Sequence, residues 1–245
     1  MRHQSRGFSL LEVIVAVGIF TIITGAVFSL LTLSQQRYKE EQEFMDAFQT
    51  ARLAMDQMTR DIHAAGYPAG NNFLPAVATA NPQNVAFPFA WAPGYAVAYP
   101  PPASCVVGAC SATGGPAAYD LIVEGQLDPA LSPNVQWVRY HLVGTTLMRG
   151  TAIKVAGGDP VALTLAAEVP YVENVINNSA ADIAAVQLNY PAMFPGGATI
   201  PIFTYTQDPN PPTGIAANDV SNIREVEITL IVRSEERRVG KECRL

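Results

Sequence analysis

Apolar residues divide the chain into three stretches with different periods. Residues 8–33, FSLLEVIVAVGIFTIITGAVFSLLTL, are apolar almost throughout, with Glu12 as the only charge and no proline. As a helix rising 1.5 Å per residue, this stretch spans about 39 Å, enough to cross a hydrocarbon core about 30 Å thick. Polar residues begin at Ser34, but the helical pattern continues. Phe44, Phe48, Ala51, Met55, Met58 and Ile62 recur at gaps of three and four, while Lys39, Glu40, Glu43, Asp46, Gln49, Asp56 and Arg60 fall largely off that stripe. One continuous helix is therefore predicted over about residues 8–65. Its half over 8–33 suits a membrane, and its half over 34–66 suits the side of a folded body. Gly66 and Pro68 supply the stop. A Met and Phe stripe at this spacing reads as core rather than as a cofactor box.

Residues 67–118 are rich in Pro, Gly, Ala and Asn and read as a long loop region with one short strand. Strand patterns then follow at 119–124, 136–143, 146–149, 161–165, 183–190, 199–205 and 223–232, with Gly144-Thr145 as a hairpin turn and 206–219 as loop. A long helix followed by a run of strands predicts an α+β fold, with an antiparallel sheet over 119–232 packed on the amphipathic half of the helix. Residues 233–245, RSEERRVGKECRL, break the strand pattern with dense charge. They resemble the adapter-derived read-through tails of some metagenome-assembled genes, so a non-native tail is expected there and Cys243 is assigned no role.

Composition narrows the function. The chain has 245 residues, enough for one to two domains, and carries a formal net charge of −6. An acidic body disfavours nucleic acid, whose binding rests on Lys and Arg against phosphate. Cys105 and Cys110 lie in CVVGAC. They either close a small disulfide loop, which suits an oxidising compartment, or remain two buried thiols. The three histidines, His3, His63 and His141, fall into no zinc spacing, and no nucleophile elbow or phosphate loop is present. Asp208, Asn210 and Asp219 read as turn residues or, alternatively, as a loop cation site without EF-hand spacing. Glu124 and Asp128, near a strand end, are expected to be solvated. No enzyme activity, metal or cofactor is expected.

The N-terminus carries the most specific signal. Residues 1–7, MRHQSRG, are short, basic and end in glycine, and the apolar run follows directly. A secretory signal has a shorter apolar core with its small-residue cleavage site after it, whereas here the small residue comes first. The segment RGFSLLEVIVAVGIF resembles the class III leader and N-terminal helix of type IV pilins and type II secretion pseudopilins. The resemblance is strong over residues 1–34 and weaker to about Gly66. It implies that a membrane prepilin peptidase removes residues 1–7 by cutting between Gly7 and Phe8. It also implies N-methylation of Phe8 and an assembly role for Glu12. A mature chain without Arg2 and Arg6 has a net charge near −8. A carboxylate at membrane depth costs about 2.5–3.5 kcal/mol on insertion scales, so Glu12 calls for a cation, and the amine freed at Phe8 of a neighbouring subunit is the natural one. The alternative is that Glu12 snorkels to the interface. Gly18 and Gly25, seven apart, either allow close helix approach or are simply tolerated.

Within that family, ARLAMDQMTRDIHAAGY and the late strands are similar to PilW-type minor pilins. The resemblance implies a minor pilin that primes or tips type IV pilus assembly. Its partners would be the peptidase, other minor and major pilins and an inner-membrane assembly platform. The alternatives are a J-type type II secretion pseudopilin and an adhesin or DNA-uptake minor pilin contacting its target through residues 67–118. The implied location is a single-pass inner-membrane protein with a periplasmic body that passes into a pilus or pseudopilus at the cell surface.

Overall fold

The computed structural model describes residues 9–92, 94–99, 105–108, 114–127, 134–189, 198–211, 213–233 and 242–244. The chain forms two compact units, Met1–Asp46 and Ala47–Leu245. One helix, α1 (Leu10–Ala64), is the whole regular structure of the first unit and enters the second.

In the first unit the apolar side chains of α1 are exposed, from Leu10 at 78% to Leu33 at 47%. The helix is long and apolar enough to cross a membrane. Its three threonine hydroxyls in this unit are satisfied internally. Thr21, Thr24 and Thr32 each donate to the carbonyl four residues back, on Val17, Phe20 and Phe28, at 2.8, 2.7 and 2.9 Å. Such back-bonding removes the desolvation cost that a bare hydroxyl carries into lipid. A Cβ built on Gly18 or Gly25 meets nothing within 4 Å, so both positions lie on open helix surface.

In the second unit, α1 buries Ala51, Ala54, Met58 and Asp61. Ala51 and Met58 belong to the predicted stripe, and Phe48, Met55 and Ile62 are half-buried beside them. Burial of Asp61 was not foreseen. The helix stops where Gly66 takes the left-handed conformation (φ 79°) and its N–H donates to Glu124 O at 2.8 Å. Only a residue without a Cβ enters that conformation without strain, which is why glycine ends so many helices.

Five antiparallel strands make the main sheet, in chain order: β1 (Phe89–Ala90), β2 (Asp120–Gly125), β3 (Gln136–Val143), β4 (Thr146–Ile153) and β5 (Val169–Val172). Strand β3 has the predicted bounds, and β4 continues four residues past the predicted end. The register places Leu121 against Tyr140 and Val123 against Val138. These four residues share a core with Ala51, Ala54 and Met58 of α1 and with Phe203, Val220 and Leu230. The opposite face of the sheet carries a second cluster of Ala90, Ile122 and Trp137. All six residues of β2 are buried, so both faces of the sheet are covered there. The fold is α+β, a long N-terminal helix joined to an antiparallel sheet.

Several predicted elements differ. Residues 161–165, expected as a strand, form the helix α3 (Pro160–Leu165). Asp159 caps it by accepting from Val161 N at 2.8 Å and Ala162 N at 3.3 Å, and Pro160 occupies the first turn, where its missing N–H costs nothing. Of residues 183–190, also expected as a strand, 183–189 belong to α4 (Ala180–Asn189), with Ser179 Oγ accepting from Asp182 N, and Tyr190 lies outside the described residues. The run 199–205 starts later, as β6 (Phe203–Gln207), and pairs with β7 (Ile223–Ile228) in a separate two-stranded sheet. The run 223–232 is broken into β7 and β8 (Ile231–Arg233) by Asn177. Its side chain donates to Thr229 O at 2.8 Å and accepts from Ile231 N at 2.8 Å. The single predicted sheet is thus more than one. The charged tail supplies β9 (Glu242–Arg244), paired with β8. The region 67–118 includes the helix α2 (Pro75–Ala80) and, between them, buried Val85, Ala86, Phe89, Ala90, Trp91 and Ala92. These six residues are therefore packed into the body rather than exposed in a loop.

Candidate assembly site and polar hubs

Gly7 and Phe8, the expected cleavage pair, lie outside the described residues, so the geometry of the site begins at Ser9. There Ser9 Oγ accepts from Leu11 N at 3.2 Å while Glu12 Oε2 accepts from Ser9 N at 3.0 Å. This reciprocal capping box satisfies two of the donors that every helix start leaves open. The signal was in the sequence as S-x-x-E just before an apolar run. It gives Glu12 a local role in addition to the expected one. A carboxylate has about four lone-pair sites, so one backbone bond leaves acceptor capacity for a cation.

The body holds two buried polar hubs that the sequence pattern did not announce. On one face of the sheet, Asp61 of α1 accepts from Tyr140 Oη at 2.6 Å, from Gln57 Nε2 at 2.7 Å and from Arg149 at 3.0 Å. Burial, then the Asp61 carboxylate, holds the Tyr140 phenol well above its usual range. On the other face, Glu124 and Lys154 form an ion pair with both side chains fully buried. Glu124 was expected to be solvated. It is enclosed because β2 is covered on both faces, so its position near a strand end does not bring it to water. Its carboxylate accepts from Trp137 Nε1 at 2.9 Å, Phe87 N at 3.0 Å and Tyr95 Oη, while Lys154 also donates to Val85 O at 2.8 Å. Burial lowers the Lys154 pKa from its usual range, against the pull of Glu124. Asp128 lies outside the described residues.

The remaining sequence candidates find ordinary partners. Asp208 accepts from Asn210 N at 2.9 Å and pairs with Arg224 at 3.2 Å. Asp219 accepts from Ser221 N at 2.8 Å as the cap of a short 3₁₀ turn. His63 is exposed at the end of α1. His141 lies 3.4 Å from Glu168 and lines an open cleft of about 750 Å³ together with the Arg139–Asp120 pair. Cys105 is disulfide-bonded. Its expected partner, Cys110, lies outside the described residues.

The family model for the prokaryotic N-terminal methylation motif matches residues 2–28. No characterised protein and no solved structure matches the chain. The motif leads directly into the apolar helix, and the pairing of a prepilin leader with that helix is consistent with membrane anchoring. The chain thus carries, over residues 2–28, the N-terminal methylation motif that supports a likeness to type IV pilins, together with a long apolar helix and an antiparallel sheet.

Proposed function

We propose that this protein is a minor pilin of the PilW type that primes or tips a type IV pilus. The observation that carries the reading is the methylation motif running unbroken into an exposed apolar helix with a single acidic residue, Glu12. A prepilin peptidase cuts between Gly7 and Phe8, and the new amine is methylated. The chain then waits as a single-pass inner-membrane protein with its body in the periplasm, where an oxidising milieu suits the Cys105 disulfide and its proposed partner Cys110. On recruitment by the assembly platform and other minor and major pilins, lipid contacts of the apolar helix are exchanged for helix contacts. Glu12 pairs with the Phe8 amine of a neighbouring subunit, which removes two charges from a low-dielectric setting at once.

The test is a deletion strain, with complementation, scored for surface pili by electron microscopy and for secreted enzyme activity. Loss of pili with secretion intact is expected. Normal pili with exoproteins trapped in the periplasm would overturn the minor-pilin reading in favour of a J-type pseudopilin. A strain that keeps both pili and secretion but fails to attach or to take up DNA would point to the adhesin or uptake class.

A further inference from the structure

We propose that Lys154 and Glu124 are joined by an intramolecular amide bond, formed by the protein on itself once the body has folded. The two side chains are in direct contact, and each is 0% exposed. Around them stand Val85, Trp91 and Trp137, all buried, and the Phe87 ring lies 4.9 Å from Lys154 Nζ. Trp91, Tyr95 and Trp137 stack edge to face at 5.0 and 6.2 Å, which closes the chamber against water.

Such a chamber penalises charge on either side chain. A buried ion pair loses the hydration of both charges, and transfer of one proton from ammonium to carboxylate removes that cost. The products of the transfer are a free amine and a carboxylic acid, the nucleophile and the electrophile of an amide condensation. The lowered pKa of Lys154 runs in the same direction.

The donors are placed for the step that follows. Trp137 Nε1 and Tyr95 Oη both point at Glu124 Oε2, two donors on one oxygen, as in an oxyanion hole. The other oxygen, Oε1, faces Lys154 Nζ and Phe87 N. Attack of Nζ on the Glu124 carboxyl carbon places negative charge on Oε2 between its two donors. The attacking nitrogen passes a proton to Oε1, which already carries the first transferred proton and leaves as water. One C–N bond forms, one C–O bond breaks, and no oxidant or co-reactant enters. Holding the two groups in fixed contact supplies the proximity that makes such a condensation unimolecular.

The bond fastens the end of β2 to the segment after β4, across β3. It closes a covalent ring across β2, β3 and β4, three neighbouring strands of the main sheet.

Intact mass spectrometry of the purified, denatured full chain, with cysteines reduced and alkylated, tests this directly. The expected result is a mass lower by one water. Trypsin is expected to leave Lys154 uncut and to release a branched peptide joining Glu124 to Lys154. Lys154→Arg keeps a cation but forms no amide and is expected to show the full mass. Tyr95→Phe removes one donor from Oε2 and is expected to leave the water loss incomplete. A folded wild-type chain of full mass, or a water loss mapped to any other pair of residues, would overturn the proposal, and neither reading requires a variant to fold.

Discussion

Asp61 on α1 and Tyr140 on β3 share a 2.6 Å hydrogen bond in the buried space between helix and sheet. The bond fixes the rotation of this part of the helix, because a turn of one residue would swing Asp61 about 100° away from the strand. Asp61→Ala leaves Tyr140 and Arg149 without their shared acceptor. A loss of about 2–4 kcal/mol in unfolding free energy is expected, against a smaller loss for Asp61→Asn, which still accepts from Tyr140. Denaturant titration of the detergent-solubilised protein measures both. An Ala variant as stable as the wild type would show the contact to be dispensable.

Alkaline pH acts on the same bond. Burial raises the phenols of Tyr95, Tyr140 and Tyr205 above their usual value of 10.0. A raised pKa means the folded chain keeps protons that the unfolded chain releases. The contribution is therefore fully present below pH 10.0 and is lost as pH rises above it. Each such group steepens the alkaline loss by up to about 1.4 kcal/mol per pH unit. Tyr140→Phe is expected to lower stability at pH 7 yet to flatten the limb above pH 10. An unchanged alkaline slope would contradict this assignment.

Glu12 has an observed role in the capping box and a proposed one in subunit pairing, and two substitutions divide them. Glu12→Gln keeps an acceptor for Ser9 N in the capping box but cannot form an ion pair with an amine. Ser9→Ala weakens the helix start by about 1 kcal/mol and leaves the charge in place. Glu12→Gln is expected to insert in the membrane and lose incorporation into filaments, whereas Ser9→Ala retains it. Quantitative immunoblots of sheared filaments decide the matter, and normal incorporation of Glu12→Gln would sink the pairing.

Gly125 lies under the end of α1. A Cβ built on it falls 2.6 Å from Ala64 O, which belongs to the backbone and cannot rotate away. Gly125→Ala is expected to cost about 1–3 kcal/mol by forcing helix and strand apart. Thermal unfolding of this variant beside Gly18→Ala, where a Cβ meets nothing within 4 Å, provides the contrast. Equal midpoints for the two would remove Gly125 as a close-approach position.

The parts of this molecule that repeat were readable, and the parts that depend on distant partners were not. The 3.6-residue stripe through Ala51 and Met58 and the turn at Gly144 are local signals, and the structure keeps them. Residues 161–165 and 183–190 were misread because short apolar runs fit a strand and a helix equally well. Their caps, Asp159-Pro160 and Ser179-x-x-Asp182, were the better guide. Strand β5 was missed because Pro170 argues against a strand interior, although an edge tolerates it. Glu124 and Asp61 gave no local sign of burial, since their partners lie 30 and 79 residues away in Lys154 and Tyr140. At the N-terminus, the Gly7–Phe8 cleavage and the pairing of Glu12 rest on family resemblance, while the capping box of Ser9 and Glu12 was present in the sequence as S-x-x-E.

Asn177 also marks a place where the body is expected to open early. Its one amide group holds Ile200 O, Thr229 O and Ile231 N, and it borders a small core of Ile176, Ile183, Val186 and Ile231 that is separate from the main one. A few side chains on a small satellite core make a seam rather than a weld. Cooperative units of this kind open below the global unfolding free energy. The contacts around this small core are therefore expected to open before the main sheet does.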